Sequence, residues 1–556
     1  MKKFFSLLLT VTILLGLVPI VGIVASAESI TDSQGVTYTL SEDGTYYIVS
    51  DCSVAATNII IPETYNDKPV KEIGSFAFYN CIVLTNVEIP ASINSVGEHA
   101  FEGCKKITGL KLPDSVKIIG GYAFANCELL SSITLSRSII TINERSFYGC
   151  LNLESVELPN SVTSIGEYAF ASSGVKSIEI PNSVTVIGDF AYAWCEFATT
   201  VKIPNSVCSI GKRAFYYCYG LTNVEIPNSV TTIGFGAFQH CKNLTDIKIP
   251  NSINDIGAYA FSYCENLTSI ELSCPIKNIK KYTFNYCEKL TSIIMPNTLV
   301  AIDEYAFSDC VNLENITLPS SITTIGAYAF SRCEKLASIV IPNSVTQVGE
   351  YAFERCFALS NASLSNSLET ISDYTFSHCE NLFVIDIPNS VVSIGEGAFD
   401  CCYSLSAVEL SDSLQSIGFM AFSSCRSLSG IEIPFSVKNM GGIVFYNCDY
   451  LRDIYCEVNA KPSGWKYSWS DYCNATVHWG DKSEEEDSGY YDSVIGDANG
   501  NGKIDARDYL LLKRAYFGTY NLTCDLSVAD INGNGKIDAR DYLLLKRAYF
   551  GTYTIR

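Results

Sequence analysis

Residues 313–336 read LENITLPSSITTIGAYAFSRCEKL, and their spacing decides the fold. Apolar side chains fall at Leu313, Ile316, Leu318, Ile322, Ile325, Ala329 and Phe330. Pro319, Gly326 and Cys333 punctuate them, and Leu336 opens the same series again 23 residues on. Outward from this unit the period runs through most of the chain. Its aromatic position recurs at Phe78, Phe101, Phe124, Phe147 and Phe170, passes through Tyr192, and continues from Phe215 to Phe445. Its cysteine position runs from Cys81 to Cys448, with Ser173 in one coil, giving 17 coils; the coil after Ser173 is one residue short. A fixed period of this length marks a stacked repeat array. L-x-x-I-x-I is a short strand whose alternate residues point inward. The following proline cannot donate to a ladder and marks the strand end. Gly326-type positions are expected to permit a tight bend. A-F-x-x-C is the return arc, its phenylalanine and cysteine turned to the core. One coil alone buries too little, so stacking makes the core. Seventeen strands at about 4.8 Å predict an array roughly 80 Å long.

Strings of the form IPNSVTxIGxxAFxxC resemble the BspA-type leucine-rich repeats of bacterial surface proteins. Residues 226–241 match in full, and residues 180–195 and 341–356 match with small variations. The resemblance covers about residues 61–455. It implies a leucine-rich-repeat solenoid of parallel short strands with irregular return arcs. It says less about activity, since such proteins include adhesins and many of unassigned role.

The chain has 556 residues, 23 cysteines and a formal net charge of −21. An acidic chain would be repelled by phosphates, which argues against a nucleic-acid partner. Sixteen cysteines share one register, which reads as packing of small buried thiols rather than as disulfides. Cys208, Cys274 and Cys401 are scattered within the repeats; Cys52, Cys456, Cys473 and Cys524 lie outside them and are the better disulfide candidates. At the N-terminus Lys2 and Lys3 precede an apolar run, and Ala25-Ser26-Ala27 ends it, so residues 1–27 read as a signal peptide. No second long apolar run follows, so no transmembrane segment is expected in the mature chain, which reads as secreted or attached to the cell surface through a partner. Residues 28–60 read as an N-terminal cap. Residues 456–480, with Trp465, Trp469, Trp479, Tyr467 and Tyr472, read as a C-terminal cap, a sugar-stacking platform being the alternative. Residues 481–493, DKSEEEDSGYYDS, form an acidic linker.

The segment 494–556 carries the most specific chemistry. Asp497, Asn499, Asn501, Lys503, Asp505 and Asp508 stand at the ligand positions of a twelve-residue calcium loop, with Gly502 at its turn. Asp530, Asn532, Asn534, Lys536, Asp538 and Asp541, with Gly535, repeat them 33 residues later. The lysines serve through their carbonyls. Position 12 is aspartate where an ordinary EF-hand has glutamate. Each loop leads into DYLLLKRAYFGTY, a predicted helix at residues 508–520 and 541–553. A duplicated loop–helix unit resembles a type I dockerin, the module that docks onto cohesins of scaffoldins in cellulosome-type complexes. The resemblance implies a small all-α calcium-binding domain holding two calcium ions. It also implies cohesin contacts at Ala506, Arg507, Lys513 and Arg514, and at Ala539, Arg540, Lys546 and Arg547. Identical halves imply docking in either of two orientations.

Nothing in the motifs points to catalysis. The four histidines, His99, His240, His378 and His478, form no zinc signature, and no nucleophile elbow or phosphate loop occurs. Solenoid, caps, linker and docking module leave no length for a catalytic domain. On the strand face, Glu179, Lys202, Glu225, Lys248 and Glu271 alternate in sign, and the column then becomes Ile294, Thr317, Val340 and Ser363. The apolar break is a candidate binding patch, though exposed strands also favour such residues. Tyr259, Tyr282, Tyr305, Tyr328, Tyr351 and Tyr374 form a second column, available to a sugar or protein ligand or engaged in packing between coils. The sequence therefore reads as a non-catalytic component of a cellulosome-like complex. Its solenoid binds an unknown protein or polysaccharide. The alternatives are a carbohydrate-active protein, and a protease inhibitor or other decoy displayed on the complex.

Overall fold

A computed structural model describes residues 29–480, 529–531 and 545. The chain enters through an antiparallel meander of β1 (Ser29–Thr31), β2 (Val36–Leu40) and β3 (Tyr47–Cys52). β4 (Asn58–Ile60) and β6 (Lys68–Ile73) follow, with β5 (Thr64–Tyr65) folded back on β6. β3 pairs in parallel with β6, and β4 pairs in parallel with β7 (Asn86–Glu88). The stacking therefore reaches back to Asn58, with the meander laid across its open end.

From β7 onward each coil repeats the same path. The sequence predicts one strand per coil; the structure has two ladders. The first holds the three-residue strands, such as Ser338–Val340 beside Asn361–Ser363, with the central residue buried and its neighbours exposed. The second holds two-residue strands such as Ala301–Ile302, Thr324–Ile325 and Gln347–Val348, all parallel and in register, the last two running into Gly326 and Gly349. The 23-residue period shows only one L-x-x-I-x-I signal because the second strand is too short to alternate twice. Proline links the two ladders: Val345 N–H donates to the Pro342 carbonyl at 2.9 Å, closing a turn.

The bends also lie elsewhere than expected. Gly326 has no left-handed φ. A Cβ there would sit 2.6 Å from the carbonyl carbon of Asp303 and the nitrogen of Glu304, so glycine lets successive coils approach. The left-handed residues are the one before Ala-Phe, as at Tyr328 (φ 56°), and the one before cysteine, as at Arg332 (φ 59°). Each costs roughly 1–2 kcal/mol for a residue with a side chain. Main-chain bonds to the next coil offset this: Tyr328 N–H donates to Glu350 O at 2.9 Å and Arg332 N–H to Glu354 O at 2.7 Å.

The core is a set of one-residue columns. Phe307 and Phe330 stack at 5.3 Å with rings 1° from parallel, and the series runs unbroken from Phe78 to Phe445 through Tyr192. The cysteines beside them are buried free thiols. The Cys333 thiol donates to the Phe307 carbonyl of the preceding coil at 3.3 Å, and Cys104, Cys241 and Cys425 do the same for Phe78, Phe215 and Phe399. Burial pushes Cys150 and Cys195 up to about 12, so the thiol form is kept. Ser173 departs from the pattern: its hydroxyl lies 3.5 Å from the Cys195 sulfur of the next coil. Cys52, Cys456 and Cys473 are also free in the structure; Cys524 lies outside the described residues. Trp465 and Trp469 are buried over the last coil. The indole N–H of Trp465 donates to Val437 O at 3.2 Å, and Trp469 meets Phe445 edge-on. Tyr467 by contrast is 90% exposed.

Candidate binding surfaces

The strand face is built by the first ladder. Its register sets Glu179 opposite Lys202, Lys202 opposite Glu225, and Glu225 opposite Lys248. All are exposed. The expected charge alternation is present, but these side chains form no ion pair within 4.0 Å. Pairs form on the arcs instead, such as Lys242 with Glu265 at 2.8 Å and Arg332 with Asp309 at 2.9 Å. At Glu271 the register meets Ile294, and the column turns apolar. Ile294 is 62% and Val340 65% exposed, with exposed Thr317 between them.

The tyrosine column is closed to stacking ligands. Tyr259, Tyr282, Tyr305, Tyr328, Tyr351 and Tyr374 lie ring on ring at 4.5 to 4.8 Å, within 13° of parallel. Both faces of each inner ring are covered by neighbours. The Tyr374 ring lies against Gly397, whose added Cβ would come 2.3 Å from it. Burial first, and the adjacent tyrosines second, hold Tyr282 above the ordinary phenol range. The six tyrosines are one end of a longer stack that sequence reading missed. Phe76, His99 and Tyr122 stack at 4.6 and 4.5 Å, and the Arg145 guanidinium lies over both Tyr122 and Tyr168. Tyr168 stacks on Phe190, and Arg213 bridges Phe190 and Phe235. The signal was available: the position before Ala-Phe is aromatic or arginine in coil after coil.

The short coil opens the surface that the stack closes. Elsewhere two residues separate the core cysteine from the next apolar anchor, as in Cys150-Leu151-Asn152-Leu153; here Ser173-Gly174-Val175 has one. A Cβ on Gly174 would lie 2.1 Å from the Leu151 carbonyl. The missing residue leaves a notch between flanking loops, an open cleft of about 550 Å³ lined by Tyr148, Leu151, Trp194, Glu196 and Phe197. Leu151 and Phe197 are exposed. Ser172, at the position matching Trp194 one coil back, carries no ring; the half-buried indole is flanked instead by Phe190 and Tyr168, at 6.0 and 6.4 Å, and met edge-on by Tyr216.

Of the residues read as calcium ligands, only Asp530 is described; it is half-buried and follows the buried helical residue Ala529. The other ligand positions of both loops lie outside the described residues. So do the residues read as cohesin contacts, Ala506, Arg507, Lys513, Arg514, Ala539, Arg540, Lys546 and Arg547, and the segments read as a leader, 1–27, and a linker, 481–493.

Stacked coils whose leucine-rich segments line up as parallel strand ladders define a leucine-rich-repeat solenoid. The model of the BspA type leucine rich repeat region matches residues 47–175, 163–291, 277–405 and 346–464, together 47–464 of the 556, and the chain belongs to this family. The model of the dockerin type I domain matches residues 495–548. No curated protein matches the chain. Among solved structures, it is similar to a leucine-rich repeat protein from Bacteroides ovatus, with 27% identity over 81% of this chain and 99% of that one, and a TM-score of 0.47. It is also similar to a leucine rich cell surface protein from Faecalibacterium prausnitzii (22% identity, 81% and 99%, TM-score 0.33). A leucine-rich repeat protein from Eubacterium ventriosum matches at 24% identity over 61% and 96%, with a TM-score of 0.38.

Proposed function

We propose that the protein is a secreted, non-catalytic component of a cellulosome-like complex. Its dockerin binds a scaffoldin cohesin and its solenoid presents a surface to a protein or polysaccharide. The observation that carries this reading is the dockerin type I match over residues 495–548, with its duplicated loop. In this reading residues 1–27 are a cleaved leader, 28–60 and 456–480 cap the solenoid 61–455, 481–493 is a linker, and 494–556 is an all-α domain.

The donor set fits calcium. Each loop supplies three carboxylates, two amide oxygens and one main-chain carbonyl, six oxygens for a cation that takes six to eight. Asp497, Asn499, Asn501, Lys503, Asp505 and Asp508 hold one ion, and Asp530, Asn532, Asn534, Lys536, Asp538 and Asp541 the other. Calcium supplies folding energy to a module of only 63 residues. The basic residues Arg507, Lys513 and Arg514, and their copies Arg540, Lys546 and Arg547, then face the cohesin beside Ala506 and Ala539.

Capture of the full chain on an immobilised type I cohesin tests the reading. Capture is expected with calcium and not with a chelator. Substituting Ala506 and Arg507 alone leaves it intact, and substituting both halves abolishes it. Calcium-independent capture, or none on a panel of cohesins, would overturn it. The cleft at the short coil favours polysaccharide as the solenoid's ligand, because exposed Phe197 and the half-buried indole of Trp194 beside amide and carboxylate groups suit a sugar ring. Retention on insoluble polysaccharide should fall in Trp194→Ala and Phe197→Ala. Equal retention of these variants and wild type would turn attention to the Ile294–Val340 patch and a protein ligand.

A further inference from the structure

His378 and Cys401 hold the same place in successive coils, 23 residues apart, at the left-handed position before the core cysteine (φ 56° and 58°). Their side chains therefore leave the turn side of the solenoid in parallel, one coil spacing apart. Main-chain bonds pin both: His378 N–H donates to Asp400 O at 2.7 Å and Cys401 N–H to Ser423 O at 2.9 Å. Asp400 precedes Cys401, and its carboxylate Oδ1 lies 3.6 Å from the Cys401 sulfur. One ligand atom from each of His378, Asp400 and Cys401 lies within 4.8 Å of the other two, and all three residues are half-buried. Among the described residues no other group of histidine, cysteine and carboxylate side chains meets this condition. Neighbouring coils put Arg332, Arg355, Ser424 and Asn447 at this place.

We propose that His378, Asp400 and Cys401 form a binding site for a zinc-class divalent metal on the turn side of the solenoid. An imidazole nitrogen, a thiolate and a carboxylate are the donors a borderline-soft cation takes, and the set is wrong for calcium or magnesium, which want oxygen alone. Bonds of about 2.0–2.3 Å in a tetrahedron bring ligand atoms to about 3.5 Å apart, so side-chain rotation of roughly 1 Å closes the site without moving the pinned backbone. Binding displaces the Cys401 thiol proton to solvent and leaves the imidazole neutral. One dication then faces one thiolate and one carboxylate, a neutral site. Three protein ligands leave a fourth position for water or a donor from a bound partner.

The test uses the full-length chain with calcium saturated, titrated with Co²⁺ and then Zn²⁺. One equivalent of Co²⁺ is expected to give a thiolate-to-cobalt charge-transfer band, which Zn²⁺ bleaches. Cobalt entering the oxygen-lined loops of the C-terminal segment gives no such band, so the two sites are distinguished. Cys401→Ser should lose the band, and His378→Ala and Asp400→Asn should weaken cobalt binding at least tenfold. Unfolding curves of the metal-free variants check that each is folded. If Cys401→Ser fails to fold, the His378→Ala titration decides. No band with wild type, a band that persists in Cys401→Ser, or unchanged affinity in His378→Ala would overturn the proposal.

Discussion

Replacing Gly326 with alanine separates two accounts of the glycine column. If glycine served only a bend, its ordinary φ would let alanine fit. The substitution would then stabilise the fold by about 0.4–1 kcal/mol through a less free unfolded chain. The structure demands the opposite sign. The new Cβ would lie 2.6 Å from Asp303 C and Glu304 N, main-chain atoms of the preceding coil. Restoring about 3.4 Å requires the coils to part by about 0.8 Å. The bond from Gly326 N–H to Ile302 O, 2.7 Å now, would stretch to about 3.5 Å and cease to be a hydrogen bond. Losing it and leaving the buried carbonyl short of a donor costs about 1–3 kcal/mol, so the net effect is a loss of about 1–2 kcal/mol. In two of the coils that carry another residue in this column, a side chain replaces the main-chain bond. At Asn143 the side-chain Nδ2 donates to Ile119 O at 2.6 Å, and at Ser372 Oγ donates to Val348 O at 2.5 Å. Gly326→Ser should therefore lose less than Gly326→Ala. Hydrogen exchange on the full chain reads the effect locally, because each coil answers mainly to its neighbours. Amides in residues 302–349 should exchange about 5- to 30-fold faster in Gly326→Ala. Unchanged or slower exchange would refute the close-approach account.

Other expectations follow from the same columns. Tyr305→Ala removes two stacked contacts, at 4.7 and 4.6 Å, and should lower stability by about 1–3 kcal/mol while leaving polysaccharide retention unchanged, since both ring faces are already covered; pull-down and thermal melts read both. A thiol reagent applied to the native protein should react first at exposed Cys208, so Cys208→Ser should lose one fast equivalent while the buried column reacts only on unfolding. His240 is stacked between Tyr217 and Tyr263 at 4.1 and 4.3 Å; burial first, and Lys242 second, hold its pKa below the ordinary histidine value, with Glu265 opposing. Its contribution to stability is complete above about pH 6.5 and is lost as pH falls toward the lowered folded value. The pH dependence of the unfolding midpoint over that window should be flatter in His240→Phe, and identical slopes would count against it.

The sequence alone determined the architecture. A period of 23 carried by leucine, isoleucine, phenylalanine and cysteine has one physical outcome, because a coil that cannot bury its own apolar side must stack on copies of itself. The calcium-ligand pattern was equally legible, since alternate oxygen donors around an invariant-length loop are written in consecutive residues. The tertiary structure decided what depends on atoms brought together across coils. The second strand ladder is two residues long and leaves no alternation to read. Gly326 and Tyr328 look in sequence like bend and surface; only the spacing of neighbouring coils shows that the glycine admits a backbone while the tyrosine carries the left-handed turn. The six tyrosines read as an open sugar platform or as packing until their ring-to-ring distances closed their faces. The cleft at Trp194 and the trio of His378, Asp400 and Cys401 exist because residues 22 or 23 apart in the chain become neighbours only when one coil lies on the next.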